Sequence, residues 1–268
     1  VVDRALISRK TEGTAALFLG ELKQELALGL RYRPVRATPV TPAVTVNITR
    51  ELVRQFTPAG EEITGLRIYD AVGFAGAEHE FVAGWTARAG LEVRVWEEPG
   101  RRGQDATGGR LVMEKGGSLA ERLFRADVSV NEEYRRFTVE GIFTAAFGEW
   151  RIRPRIRYGW GENLPVHLAF PLGGDDGFPG LHVGELRGDR EALAGLIVTH
   201  PFIGPVLARV EAMTGRTASG GPAIPEGRWL FGVRAGLGLE TSLGPVRVEY
   251  GRTRDDRDAL FVRLGRWF

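Results

Sequence analysis

Between Arg151 and Trp160 the chain alternates with a period of two. Arg151, Arg153, Arg155 and Arg157 fall on one side, and Ile152, Pro154, Ile156, Tyr158 and Trp160 on the other. Successive side chains of a strand point to opposite faces, so this is a strand with one cationic and one apolar face. Arginines at i, i+2, i+4 and i+6 cannot line a dry core, because burying an unpaired charge is too costly. That face meets water or carboxylates, and the other meets something apolar. A soluble sandwich with its arginines outside and a membrane barrel with its arginines inside are inversions of the same strand. Tyr158 and Trp160 lie at the strand end, where a barrel carries its lipid-interface aromatics, and this favours the barrel. Pro154 removes a ladder donor in either arrangement.

The last forty residues carry the same period. Val246, Val248 and Tyr250 oppose Arg247, Glu249 and Gly251, and in the final run Leu260, Val262, Leu264 and Phe268 share a face. The sequence stops on an aromatic residue, as a closing barrel strand has reason to do. No window approaches the ~18–20 continuous apolar residues of a membrane helix. A hydrophobic content of 43% suits a barrel with a polar lumen, in which only alternate residues face lipid. The absence of Cys excludes disulfides and thiolate metal sites, and the net charge of +2 gives no reason to expect nucleic acid. No signal peptide or initiator Met is visible, so the chain reads as a mature or excised piece of a longer protein.

In chain order, residues 1–21 read as a lead-in segment or first strand, and 22–268 as one all-β antiparallel barrel domain. The stretch Glu12–Leu19 could open a helix. Leu22–Tyr32 reads as a strand with a helix as rival, and Pro34–Pro42 as a turn. Strands are expected over Ala43–Ile48 (continuing through 51–56), Ile63–Ala71 and Phe81–Trp96, with polar Ala77–Glu80 between the last two. Glu97–Gly109 reads as a charged, Gly-rich loop. Further strands are expected over Arg110–Glu114, Glu121–Val130, Arg136–Phe147, Val166–Leu172, Ala192–His200 and Pro205–Met213, with a loop over Arg216–Glu226.

The run Gly236-Leu-Gly-Leu-Glu-Thr-Ser-Leu-Gly-Pro-Val-Arg-Val-Glu-Tyr-Gly251, followed by the terminal Phe261-Val-Arg-Leu-Gly-Arg-Trp-Phe268, resembles the end of the outer-membrane assembly and secretion barrels. That superfamily takes in BamA-like and TamA-like insertases, two-partner-secretion transporters, bacterial surface antigens and the barrels attached to patatin-like lipases. Residues 168–196 resemble the long extracellular loop that these barrels fold into their lumen. Gly173-Gly174 and Gly184-Glu185-Leu186-Arg187-Gly188-Asp189 fit the family pattern. At the tip, Phe178-Pro179-Gly180-Leu181, Pro179 stands where the family has Arg and Leu181 where it has an aromatic residue. The local likeness is greatest to the patatin-linked branch. The departure removes the Arg of the family's lumen salt bridge, and Arg187, paired with Glu140 or Asp127, is the candidate to replace it. A Gly-rich turn without a fixed partner is the alternative.

The resemblance implies a sixteen-stranded barrel in the bacterial outer membrane, although the length leaves twelve or fourteen strands open. It implies insertion or transport of polypeptide, or the anchoring and export of a lipase domain lying upstream. The expected partners are outer-membrane lipid, an unfolded outer-membrane protein or a fused passenger polypeptide, and a second copy of the chain. On this reading Arg151, Arg153, Arg155, Arg157, Arg247, Glu249 and Arg263 face the lumen. A small-solute pore and a soluble β-sandwich binding domain are the competing classes. The sequence shows no enzyme motif, metal site or cofactor site. Gly116-Gly117-Ser118-Leu119-Ala120 lacks the last Gly of a nucleophile elbow, Gly236-Leu237-Gly238 lacks the third Gly of a dinucleotide loop, and His79, His167, His182 and His200 lack ligand spacing.

Overall fold

A computed structural model describes residues 2–8, 11–32, 40–57, 60–82, 84–116, 124–174, 177–241 and 244–264. The first half of the wall is β1 (Val2–Ser8), β2 (Thr11–Leu19), β3 (Lys23–Tyr32), β4 (Val40–Phe56), β5 (Glu62–Val82), β6 (Trp85–Glu98), β7 (Arg101–Lys115) and β8 (Phe124–Asn131). It continues with β9 (Arg135–Ile142), β10 (Ala145–Phe147) and β11 (Trp150–Glu162). After the small strands β12 (Phe170–Leu172) and β13 (Leu186–Gly188) it ends with β14 (Arg190–Ile203), β15 (Val206–Ala218), β16 (Leu230–Thr241), β17 (Gly244–Thr253) and β18 (Asp258–Leu264).

Fifteen strands lie side by side in chain order in one antiparallel sheet, and β10 pairs with β11 beside them. β12 and β13 form a separate two-stranded sheet. Among the described residues no ladder joins β1 to β18. One continuous sheet excludes the two-layered sandwich; with β9 and β10 counted as two pieces of one position, the described wall has fifteen strand positions, close to the expected sixteen.

Pro154 explains that split. Pro154 O accepts a hydrogen bond from Phe143 N at 3.0 Å, so this edge of Pro154 faces the neighbour strand but offers no N–H in return. The ladder to β9 ends at Arg155↔Ile142 and resumes in β10 at Ile152↔Ala145.

The faces alternate as a membrane wall requires. Leu26, Leu28 and Leu30 on β3, Val44, Val46 and Ile48 on β4, Leu91, Val93 and Val95 on β6, and Leu260 and Val262 on β18 are all exposed. On the other face Glu92, Asp127, Arg155, Glu191, Glu211, Arg234 and Glu249 are buried. A soluble domain buries the first set and exposes the second. Exposed aromatics crowd both ends, with Phe143, Phe147, Trp150 and Phe202 at one and Tyr69, Trp229, Phe231 and Tyr250 at the other.

Several local expectations are corrected. Glu12–Leu19 lies in strand β2, not a helix. Ala77–Glu80 does not separate two strands but sits inside the 21-residue β5. Most of the supposed loop Glu97–Gly109 is strand, with only Pro99 and Gly100 turning between β6 and β7. Val166–Leu168 is a single 3-10 turn rather than strand, and β15 runs to Ala218 before the 219–229 loop. Of the expected turn Pro34–Pro42, residues 34–39 lie outside the described residues and 40–42 already belong to β4.

Candidate functional site

Segment 163–189 leaves the wall at the end of β11 and returns at the start of β14. Its contacts run along the inward faces of β4–β7, β9, β11 and β14–β17. Near its beginning, Leu164 and Leu168 pack on buried Trp96, Ala106 and Tyr134 of the β6–β9 side. His167 is buried, with Nε2 3.7 Å from Asp70 Oδ1 and Nδ1 3.7 Å from Glu98 Oε1. Arg136 Nε donates to Leu168 O at 3.3 Å, and its guanidinium lies 4.9 Å over the Phe170 ring. Phe170 sits directly on Gly159, where a Cβ would come within 2.7 Å of the ring.

The middle of the segment is apolar. Leu172, Phe178 and Leu181 are fully buried against Leu193 of β14 and Met213 of β15. Gly173 and Gly174 have φ of +123° and +91°, a region open to glycine, and Gly174 N donates to Leu181 O to close the turn. The tip meets the wall through backbone. A Cβ on Gly180 would lie 2.7 Å from the Arg252 carbonyl carbon and Thr253 N of β17. A Cβ on Gly251 would lie 2.6 Å from Gly180 N, and one on Gly232 2.7 Å from Pro179 O. Wall and segment therefore approach as closely as they do only because both sides lack side chains.

The returning limb is held by charge. Glu185 accepts from its own His182 N at 2.8 Å and from Arg257 Nη1, in the β17–β18 turn, at 2.7 Å. His182 stacks on Phe56 at the end of β4, with ring centroids 6.1 Å apart. Asp189 Oδ1 accepts from Gly220 N at 2.8 Å, and Gly188 packs on Ala218 backbone. Arg187 Nη2 lies 3.8 Å from Glu51 of β4. Burial pulls the Arg187 guanidinium below its ordinary value, and Glu51 opposes the shift. The expected pairing of Arg187 with Glu140 or Asp127 is thus corrected. Glu140 is taken by Arg155 at 2.6 Å, and Asp127 by Arg110 at 2.7 Å and Arg125 at 3.0 Å.

Of the arginines first singled out on β11, Arg155 is buried on the inward face, Arg153 is half-buried, and Arg157 pairs with Glu191 and donates to Pro171 O at 3.1 Å. Arg151 is exposed at the start of the strand. Glu249 and Arg263 are buried inward, and Arg247 stands directly opposite Arg263 in the β17–β18 ladder. Leu260 and Val262 point outward. Leu264 closes β18, its side chain lying outside the described residues, as does Phe268 entirely. Sequence reasoning missed the centre of this wall. Arg234, 2% exposed, donates to Glu211 Oε2 through Nη2 at 2.5 Å and Nε at 3.0 Å, and Arg209 joins Glu211 at 2.7 Å and Glu249 at 2.6 Å. The signal was present as the alternation of Arg209 and Glu211 with Val210, but only pairing the strands brings Arg234 to it.

A continuous sheet with exposed aliphatics, a charged interior and aromatic rims is a transmembrane β-barrel, and the class it defines is a bacterial outer-membrane barrel with an inward-folded loop. The comparisons narrow the fold within that class. BamA from Haemophilus ducreyi lacking POTRA domains 1–3 superposes with a TM-score of 0.68 at 10% identity, over 94% of this chain and 63% of that one. CdiB from Acinetobacter baumannii superposes with a TM-score of 0.59 at 13% identity, over 95% of this chain and 52% of that one. The fold is therefore the one these two barrels share, and this chain spans roughly half to two-thirds of their length. No family model matches the sequence, and no curated protein does.

Proposed function

We propose that this chain is the membrane-embedded barrel of an outer-membrane factor that inserts or exports polypeptide, with segment 163–189 as its internal gate. The observation that carries this reading is the way the segment spans the interior. Arg187 reaches Glu51 on β4, and Glu185 holds Arg257 beyond β17, so one loop ties strands from both halves of the sheet. A loop serving only as an external turn gains little from such pairs, since solvent-exposed ion pairs contribute roughly 0–1 kcal/mol. The clients fitting this reading are unfolded outer-membrane protein or a passenger chain. The narrower version, a barrel serving an upstream lipase, rests on residues 168–196 alone.

A small-solute pore is the second reading. It draws on a polar cavity of about 560 Å³ beside β2–β7, which the segment leaves unfilled and which Lys23, Arg31, Asn47, Asp70 and Arg94 help to line. Deleting 175–182 separates the two readings. A gate predicts raised conductance in planar bilayers together with loss of client insertion or export, whereas a pore predicts raised conductance alone. Unchanged conductance, or free labelling of a Cys at position 180 from outside intact cells, refutes the gate.

A further inference from the structure

The outer face of the wall is not uniform. Gln24, Arg50, Tyr69 and Glu97 stand in one register row across β3, β4, β5 and β6. The next row down the strands is Leu26, Ile48, Ala71 and Val95, and this row belongs to the apolar belt. At this boundary the surface is indented by a mainly apolar groove of about 560 Å³. Leu26, Ile48, Ala71 and Val95 line it, with Arg50 and Tyr69 among its polar and aromatic lining. Ala71 projects least, so the strand carrying it lies as a trough between two aliphatic ridges.

The rim is cationic where a lipid-facing surface has least reason to be. Arg50 is exposed, and its one described partner is Gln24 Oε1 at 3.4 Å. Arg67 is exposed one step nearer the start of β5, two residues before Tyr69. Because Arg50 stands opposite Tyr69, Arg67 is its diagonal neighbour on the same face, a spacing of about 7–8 Å that one phosphate group can bridge. No carboxylate pairs with either arginine among the described residues. Arg54, the other outer-face arginine of this end of β4, already has Glu21 at 3.9 Å and Glu62 at 3.5 Å. Glu97 flanks the row on the far side of Tyr69, and Asp105 stands opposite Val95 on the same face, so both anions lie on the β6–β7 side while the two arginines lie together on β4 and β5. Guanidinium groups suit phosphate because they offer paired donors in a plane.

We propose that this groove is a binding site for one anionic phospholipid, with the headgroup phosphate between Arg50 and Arg67 and an acyl chain laid over Ala71 between Ile48 and Val95. The site rests on the membrane reading, but only in that lipid must reach the outer face; it is independent of the gate. Barrel formation and lipid retention are read separately, so failure of one is distinguishable from failure of the other.

The test uses the full chain in nanodiscs of phosphatidylcholine doped with phosphatidylglycerol, then extracted into mild detergent and counted for bound lipid by native mass spectrometry. The expected result is one retained phosphatidylglycerol per chain. Arg50→Gln with Arg67→Gln should weaken retention roughly tenfold or more, the loss of charge-assisted bonds to an anion. Glu97→Gln should strengthen it a few-fold by removing the opposing charge. Each variant is checked first for the folded band on an unboiled gel, and Arg135→Gln serves as a control at a distant exposed arginine. Retention unchanged by the double substitution, weakened by Glu97→Gln, equal for phosphatidylcholine, or displaced by millimolar inorganic phosphate alone would each overturn the proposal.

Discussion

The wall from β2 to β7 and the wall from β14 to β18 obey the same outward rule and differ inward. In the first, the strands reach 17 and 21 residues in β4 and β5, and charged side chains border an open cavity. In the second, the strands shorten to 10 and 7 residues in β17 and β18, the inward face is cut back to glycine where segment 163–189 sits, and the ion pairs beneath it are dry. The same alternation thus builds a wet wall or a seat for a loop, and the small inward residues decide which.

The comparison breaks most readily at a buried charge. Arg234→Met leaves Glu211 and Glu249, both about 1% exposed, to share Arg209, an uncompensated buried charge that should lower stability by about 3–5 kcal/mol. Arg88→Met, whose pairing with Glu78 at 3.1 Å is part-exposed on the wet side, should lower it by about 1 kcal/mol or less. Urea unfolding in lipid vesicles measures both, and equal losses would erase the distinction between the walls.

Next in size is the test of the faces themselves. Ile156→Arg puts a cation on the lipid side of β11 and should cost about 2–4 kcal/mol near the midplane. Arg155→Gln, beside it on the inward side, should cost clearly less. The same unfolding assay reads both, and the reverse order would mean the faces are inverted.

The glycines give a middle effect. Gly251→Ala brings a methyl into Gly180 backbone and should displace the tip at a cost of about 1–3 kcal/mol. Gly29→Ala lines the open cavity and meets first only the Thr14 hydroxyl, which can rotate away, so it should be nearly silent. Protease cleavage within 163–189, followed by gel mobility, tells them apart. Smallest is Glu51→Gln, which loosens one tether while Glu185 still holds Arg257. A modest rise in open-channel noise in planar bilayers is expected, with stability unchanged within ~0.5 kcal/mol.

The sequence showed what depends on alternation and hid what depends on circumference. The faces of β11, β17 and β18 were legible because a period of two needs no partner. The inward segment was legible through Gly173-Gly174 and Gly184–Asp189. By contrast, Arg187 was assigned to Glu140 or Asp127 because nothing in a linear string says that β4 lies across from β13. The polar Ala77–Glu80 and the charged 101–109 were misread as breaks. In a barrel with a wet interior, strands run on beyond the belt and polarity does not mark their ends. The apolar run in Glu12–Leu19 carries too little alternation to exclude a helix, and only pairing with β3 settles it as β2.

The cross-barrel ties of segment 163–189 have a consequence for the order of folding. Apart from β11 with β14, which segment 163–189 separates, and β9 with β11, which β10 separates, the ladders of the large sheet join consecutive strands, so those hairpins can form from local encounters alone. The segment cannot be seated that way. Glu51 and Arg257 must both already be in position before Arg187 and Glu185 have anything to grip. Closing such long chain loops is rewarded only once the curvature of the whole sheet exists. Seating should therefore be the last event in assembly, lagging strand formation in refolding experiments that follow Trp fluorescence and segment-specific labelling together. A newly inserted barrel would pass through an interval with its interior still open.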